Sequence, residues 1–184
     1  MVESGLLGAA GFWGEEGDPH GLGRIIPDPD QPAEATADAD GVTIAGSGNH
    51  GLFIEDQVLN SAAGIALELD RVRIEGNGFG DVDQDGVRVN EGGLGSIRLT
   101  IKQSDFVGNG ADGLELDEKD DGDATIKVVA TTFRENGPKD PTDLDDGLDV
   151  DEDGDGAISG RIVLSAEPPT PSGLLRRAYA RERT

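Results

Sequence analysis

Residues 41–166 read as an all-β solenoid of about four coils, each coil a repeat of short strands and tight turns. Three observations predict it. First, three segments align without gaps: DGVRVNEGGLGSIRLTIKQSDF from Asp85, DGLELDEKDDGDATIKVVATTF from Asp112 and DGLDVDEDGDGAISGRIVLSAE from Asp146. Second, their apolar residues alternate with period two, which turns one side of each strand inward. Third, no segment long enough for a helix combines helical periodicity with freedom from glycine. A propeller blade needs roughly 40 residues and four strands, whereas Phe106 and Phe133 bound a copy of 27 residues. A sandwich gives no reason for copies to agree column by column.

Taken in chain order, residues 1–40 carry Pro19, Pro27, Pro29 and Pro32 among Gly and Asp without sustained patterning, and are expected to form an irregular arm or cap. The apolar stretch at residues 5–14 follows Glu3 rather than a basic segment, which makes a poor signal peptide. From Gly41 the texture changes. IAGSGNHG from Ile44 matches FVGNGADG from Phe106, so His50 takes a column otherwise held by Asp. GIALELDRVRIEGNG from Gly64 puts Ile65, Leu67 and Leu69 on the columns of the later second strands, and Ile74 above Phe106.

In the full copies the first strand turns Val87 and Val89, Leu114 and Leu116, or Leu148 and Val150 inward. A glycine turn at Gly95, Gly122 or Gly156 leads to a second strand. Its inward residues are Ile97, Leu99 and Ile101, then Ala124, Ile126 and Val128, then Ile158, Gly160 and Ile162. Insertions fall at one place in the repeat: six residues between Gly78 and Asp85, one between Gly110 and Asp112, eight between Gly137 and Asp146. The loops at 79–84 and 138–145 are therefore expected to leave the same edge. After Pro168, Pro169 and Pro171, residues 167–184 read as a linker and a short basic tail, with Leu174, Leu175, Ala178 and Tyr179 on one face of a short helix.

Charge narrows the function. The 184 residues hold 38 Asp and Glu against 15 Lys and Arg, for a formal charge of −23. Such a chain repels phosphate backbones, so nucleic acid is excluded as a partner and cations are favoured. No apolar run approaches the roughly 20 residues of a membrane span. The absence of cysteine excludes disulfides and thiolate metal sites.

The repeat D-G-apolar-x-apolar, a Gly turn, an apolar strand, then F-x-x-N-G resembles the right-handed parallel β-helix repeats of the pectate-lyase-like superfamily. The resemblance covers about two thirds of the chain and implies a right-handed parallel β-helix, an extracellular or cell-surface setting, and a polysaccharide or an adjoining β-helix segment as partner. Asn77, Asn109 and Asn136 fall in one column and are expected to form a structural amide ladder.

The acidic columns carry the candidate chemistry. Asn90, Asp117 and Asp151 form one column, and Glu91, Glu118 and Glu152 the next. Asp81, Asp83 and Asp85, and again Asp149, Asp151 and Asp153, have the D-x-D-x-D-G spacing of oxygen-ligand calcium loops, which makes them the candidate ligands for a divalent cation such as Ca2+. Neither stretch has the acidic twelfth residue of a complete helix-loop-helix calcium loop; Gly92 and Gly160 stand there.

For catalysis, Asp145 and Asp146 match the paired acids of polygalacturonase-like hydrolases, without that group's Gly-His-Gly and Arg-Ile-Lys segments. Asp18, Pro19 and His20 spell the core of alginate epimerases but lie ahead of the coils. His50 could act as a general base beside Asp85. These readings make the chain a non-catalytic structural or binding module stabilised by divalent cations, with a polysaccharide lyase or epimerase-like enzyme, or a fragment of one, as the alternative.

Overall fold

The computed structural model describes residues 22–25, 35–59, 61–80, 83–139, 147–164 and 181–182. Among these there is no helix. The strands run in chain order as β1 (Leu22–Ile25), β2 (Ala35–Asp40), β3 (Thr43–Ala45), β4 (Leu52–Asp56), β5 (Ile65–Asp70), β6 (Arg73–Glu75) and β7 (Val87–Glu91). They continue as β8 (Ile97–Lys102), β9 (Asp105–Val107), β10 (Leu114–Glu118), β11 (Ala124–Arg134), β12 (Leu148–Glu152), β13 (Ile158–Leu164) and β14 (Arg181–Glu182).

All pairings are parallel and connect one coil to the next, giving a β-solenoid of about four turns with three faces. The first face stacks β1, β4, β7, β10, β12 and β14. The second stacks β2, β5, β8, β11 and β13, and the third stacks β3, β6, β9 and the last residues of β11. Parallel pairing demands a long return path between neighbouring strands, and the rest of each coil supplies it.

Period-two alternation explains the interior. Leu114 pairs with Val87 on one side and Leu148 on the other, and Leu116 likewise with Val89 and Val150. Leu67, Leu99 and Ile126 stack across the second face, and Phe106 stacks on Phe133 at 4.7 Å in the third. The core is thus a set of aliphatic columns, as few aromatic residues would allow.

Two corners show why the repeat has its polar signature. The turn from second to third face places Gly41, Arg71, Gln103 and Ala130 at φ of 64°, 54°, 49° and 53°. Three of the four are not glycine, and the amides of Arg71 and Gln103 donate to the Lys102 and Val129 carbonyls of the next coil, which holds these two in the left-handed region. At the opposite corner Asn77 Nδ2 donates to Asn109 Oδ1 at 3.1 Å, and Asn109 Nδ2 to Asn136 Oδ1 at 3.0 Å. The backbone amides of Asn77 and Asn109 donate to the same oxygens. This ladder also accounts for the Asp-Gly pair: a Cβ on Gly86 would sit 2.7 Å from Asn109 Nδ2 and 2.5 Å from the Gly113 carbonyl. Asp85 Oδ1 meanwhile accepts the Asp112 amide at 3.0 Å.

The sheets start earlier than the expected boundary at residue 41. β1 pairs with β4, and β2 pairs with β5 over six residues. Ala37 and Ala39 of β2 do pack on the core, but alanine carries too little hydrophobic contrast for the alternation in ATADAD to stand out among prolines. Ile162, expected inward, is 43% exposed because β13 is an end rung with β11 as its one partner among the described strands. Arg181–Glu182 is extended and pairs with β12; the expected helix at residues 174–179 lies outside the described residues. Of the two expected loops, the described parts meet: Lys139 Nζ donates to the Phe79 carbonyl at 2.9 Å.

Replacing Asn109 by Ala removes the acceptor for two amides of the neighbouring coil and strands them in a buried corner. Urea denaturation should show a loss on the order of 3 kcal/mol, while Thr125→Ala on the exposed side of β11 should cost less than about 0.5 kcal/mol.

Candidate functional site

The outward column of the first face holds Phe53, Arg88, Glu115 and Asp149 in register on β4, β7, β10 and β12. Arg88 is the centre of a nest of carboxylates. Its Nη1 lies 2.7 Å from Glu115 Oε2, 3.3 Å from Asp83 Oδ1 and 3.4 Å from Asp85 Oδ2, and its Nη2 lies 3.1 Å from Asp117 Oδ2. Nε donates to Asn90 Oδ1 at 3.2 Å, and Lys119 Nζ stands 3.0 Å from Asp117 Oδ2. Asp83 reaches the nest from the loop before β7, where its backbone takes φ of 55°. The Arg88 side chain is 15% exposed and that of Asp85 is fully buried.

The oxygens of Asp83, Asp85 and Glu115 lie within 4.8 Å of one another, and this is the one cluster among the described residues that could hold a metal ion. Burial first, then the Asp85 charge, push the Glu115 carboxyl up to about 10 against the pull of Arg88. Burial also works against the guanidinium, but Glu115, Asp85, Asp117 and Asp83 outweigh it and hold Arg88 above its ordinary range.

His50 stands beside this nest and stacks on Phe53 with ring centroids 5.2 Å apart. Its Nδ1 is 3.3 Å from Asp85 Oδ2, so the two candidate catalytic residues do meet. Yet Nδ1 accepts the Asp85 backbone N–H at 2.9 Å, which commits that lone pair and places the imidazole proton on Nε2. The Asp85 carboxylate is committed too, to the Asp112 amide and to Arg88.

Of the other sequence candidates, Asp81, Asp145 and Asp146 lie outside the described residues. Asp83 and Asp85 come together; Asp149, Asp151 and Asp153 run along and just beyond the extended β12, where alternate residues are about 6.7 Å apart. Sequence reasoning missed Glu115 and Arg88. The signal was present, because the gapless copies put an acid directly opposite a base in adjacent rungs.

A second acidic feature lies inside the solenoid. The third inward position of β4, β7, β10 and β12 is an acid: Asp56, Glu91, Glu118 and Glu152 follow Ile54, Val89, Leu116 and Val150. They pair in register, and their exposure is 0%, 0%, 0% and 5%. One oxygen of each accepts an amide two residues on, from Val58, Gly93, Asp120 and Gly154. The other oxygen, Asp56 Oδ2 or the Oε2 of each glutamate, is buried without a donor. The turn presses close here as well, since a Cβ on Gly122 would stand 2.9 Å from Glu118 Oε1. Two ionised rungs would repel by about 3 kcal/mol at an effective dielectric of 20. Burial first, then Glu152 and Glu91, push Glu118 up to about 9; burial, reinforced by Asp56, also raises Glu91.

Arg88→Leu should destabilise the chain by about 3–5 kcal/mol at neutral pH, because buried Asp85 and its neighbours lose their counter-charge. Urea denaturation of the variant and the wild type at pH 7 measures the deficit. The sequence matches no known protein family, and neither the curated proteins nor the solved structures contain a match, so the nest around Arg88 and the inward acid column stand on their geometry alone.

Proposed function

We propose that this chain is a non-catalytic structural or binding module, a right-handed parallel β-helix of the pectate-lyase-like kind, whose first face takes a divalent cation. The observation that carries the cation is the convergence of Asp83, Asp85 and Glu115. Charge supports it: once Glu115 gives up its proton as the ion binds, Asp83, Asp85, Glu115 and Asp117 outnumber Arg88 and Lys119 by two, a surplus that one divalent ion neutralises. Hard oxygen ligands with one exposed member suit Ca2+ better than a thiolate- or imidazole-seeking metal. The non-catalytic reading rests on the commitment of Asp85 and of His50 Nδ1 to structural bonds, which leaves neither free to accept a proton from a substrate.

Calcium should raise the melting temperature beyond sodium at matched ionic strength, with stabilisation growing as RT ln(1 + [L]/Kd), about 2.7 kcal/mol at 100 times Kd. A partly open, three-carboxylate site belongs in the weak range of about 10⁻⁴ to 10⁻³ M. Glu115→Gln and Asp83→Asn should each abolish the calcium-specific part. Binding near neutral pH should release on the order of one proton, read by calorimetry in buffers of different ionisation enthalpy. If calcium and sodium act alike, the nest is a screened ion-pair cluster. Turnover of a uronic-acid polysaccharide would overturn the non-catalytic reading.

A further inference from the structure

We propose that Glu91 and Glu118, with Asp56 stacked beside them in the same column, form a proton-sharing carboxylic acid ladder inside the solenoid, a proton-binding site that stays loaded at neutral pH and loosens the coils when it is emptied. The geometry carries this. Each acid occupies an inward strand position, each is fully buried, and each spends one oxygen on the turn amide of its own coil. The remaining oxygens, Asp56 Oδ2, Glu91 Oε2 and Glu118 Oε2, have no donor. Because the strands pair in register, the three acids share one column, and the Glu91 and Glu118 carboxyls lie within hydrogen-bonding reach of each other. A carboxylic acid hydrogen supplies the missing donor and removes the like-charge contact in one step. Glu152 continues the column on β12, and Glu182 holds the next register position on β14.

The groups acting on the column from the packed strands are acids. Asp56 on β4 acts on Glu91, and Glu91 on β7 and Glu152 on β12 act on Glu118. Lys119, the nearest base in sequence, is turned to Asp117 on the outer side. No counter-charge is therefore available within the column from the described residues. The upward shift of Glu118 to about 9 agrees with this reading.

The sign follows from linkage. The folded chain binds more protons than the unfolded chain between the ordinary glutamate range, about 4.3, and the raised folded value of about 9. Stability is then fully present below about pH 4.3 and is lost as pH rises through about 9. This runs opposite to the usual behaviour of paired carboxylates.

The test uses the full chain in metal-free buffer at high salt, where general repulsion among surface acids is screened. The wild type should melt at progressively lower temperature from pH 5 to pH 9, with a slope to which Glu118 and Glu115 both contribute. Glu118→Gln supplies a permanent amide donor to both neighbouring rungs. It should reduce that slope by on the order of one proton, leaving the share that belongs to Glu115, and melt above the wild type at pH 9. Asp155→Asn, on an exposed turn, should leave the slope unchanged. In infrared spectra at pH 7 the wild type should show a protonated-carboxyl band that Glu118→Gln weakens. A wild type with no such band, or a slope that Glu118→Gln leaves intact, overturns the proposal. So does a chelator-sensitive gain in stability that disappears in Glu118→Gln but persists in Glu115→Gln, since a metal ion would then hold the column. A calcium effect lost in Glu115→Gln alone concerns the outer nest and leaves the ladder standing.

Discussion

Inter-coil hydrogen bonding places every strand residue about 4.8 Å from its counterpart in the next coil, and this in-register stacking governs the rest of the molecule. Whatever a residue is, it must tolerate itself as a neighbour. Aliphatic side chains do so by packing, which gives the core its columns of Val, Leu and Ile. Asparagine does so by being donor and acceptor at once, so Asn77, Asn109 and Asn136 bond end to end. Acids cannot do so while ionised. They must find a counter-charge, take a proton or face water, and the two acidic features follow the first two routes: the outer nest gathers around the Arg88 guanidinium, whereas the inner column has no base facing it among the described residues.

Stacking also made the fold legible in the sequence. Gapless alignment of the three Asp-Gly copies fixes the register of β7, β10 and β12 residue by residue, because a solenoid has little freedom to pair otherwise. Legibility ended where contrast ended. Ala37 and Ala39 alternate with Asp38 and Asp40 as a strand should, but two methyl groups in a proline-rich setting do not announce it.

The site was less legible, for a different reason. The D-x-D-x-D-G spacing drew attention to Asp83 and Asp85, which do come together, but an ion needs ligands that converge in space. Glu115 comes from the next coil, 30 positions beyond Asp85, and a linear motif cannot reach it. The glutamate column was visible as a column. Its burial was not, because an acid in the third inward position violates the expectation that alternation carries apolar residues inward. Counting the period through Glu118, rather than stopping at Leu116, reverses that expectation.

The asparagine ladder has a direction. The Nδ2 of Asn77 and of Asn109 each donates one hydrogen to the next amide oxygen toward the C-terminus and another to a carbonyl of the coil before, so their amide dipoles add along the axis instead of cancelling. A chain of this kind polarises as it lengthens, and each bond strengthens its neighbours by about a tenth to a third in condensed phase. Coils at the middle of the array are consequently held more firmly than coils at its ends. Opening should progress as fraying from the termini inward, and inserting one more repeat would stabilise the array by more than the average contribution of those already present.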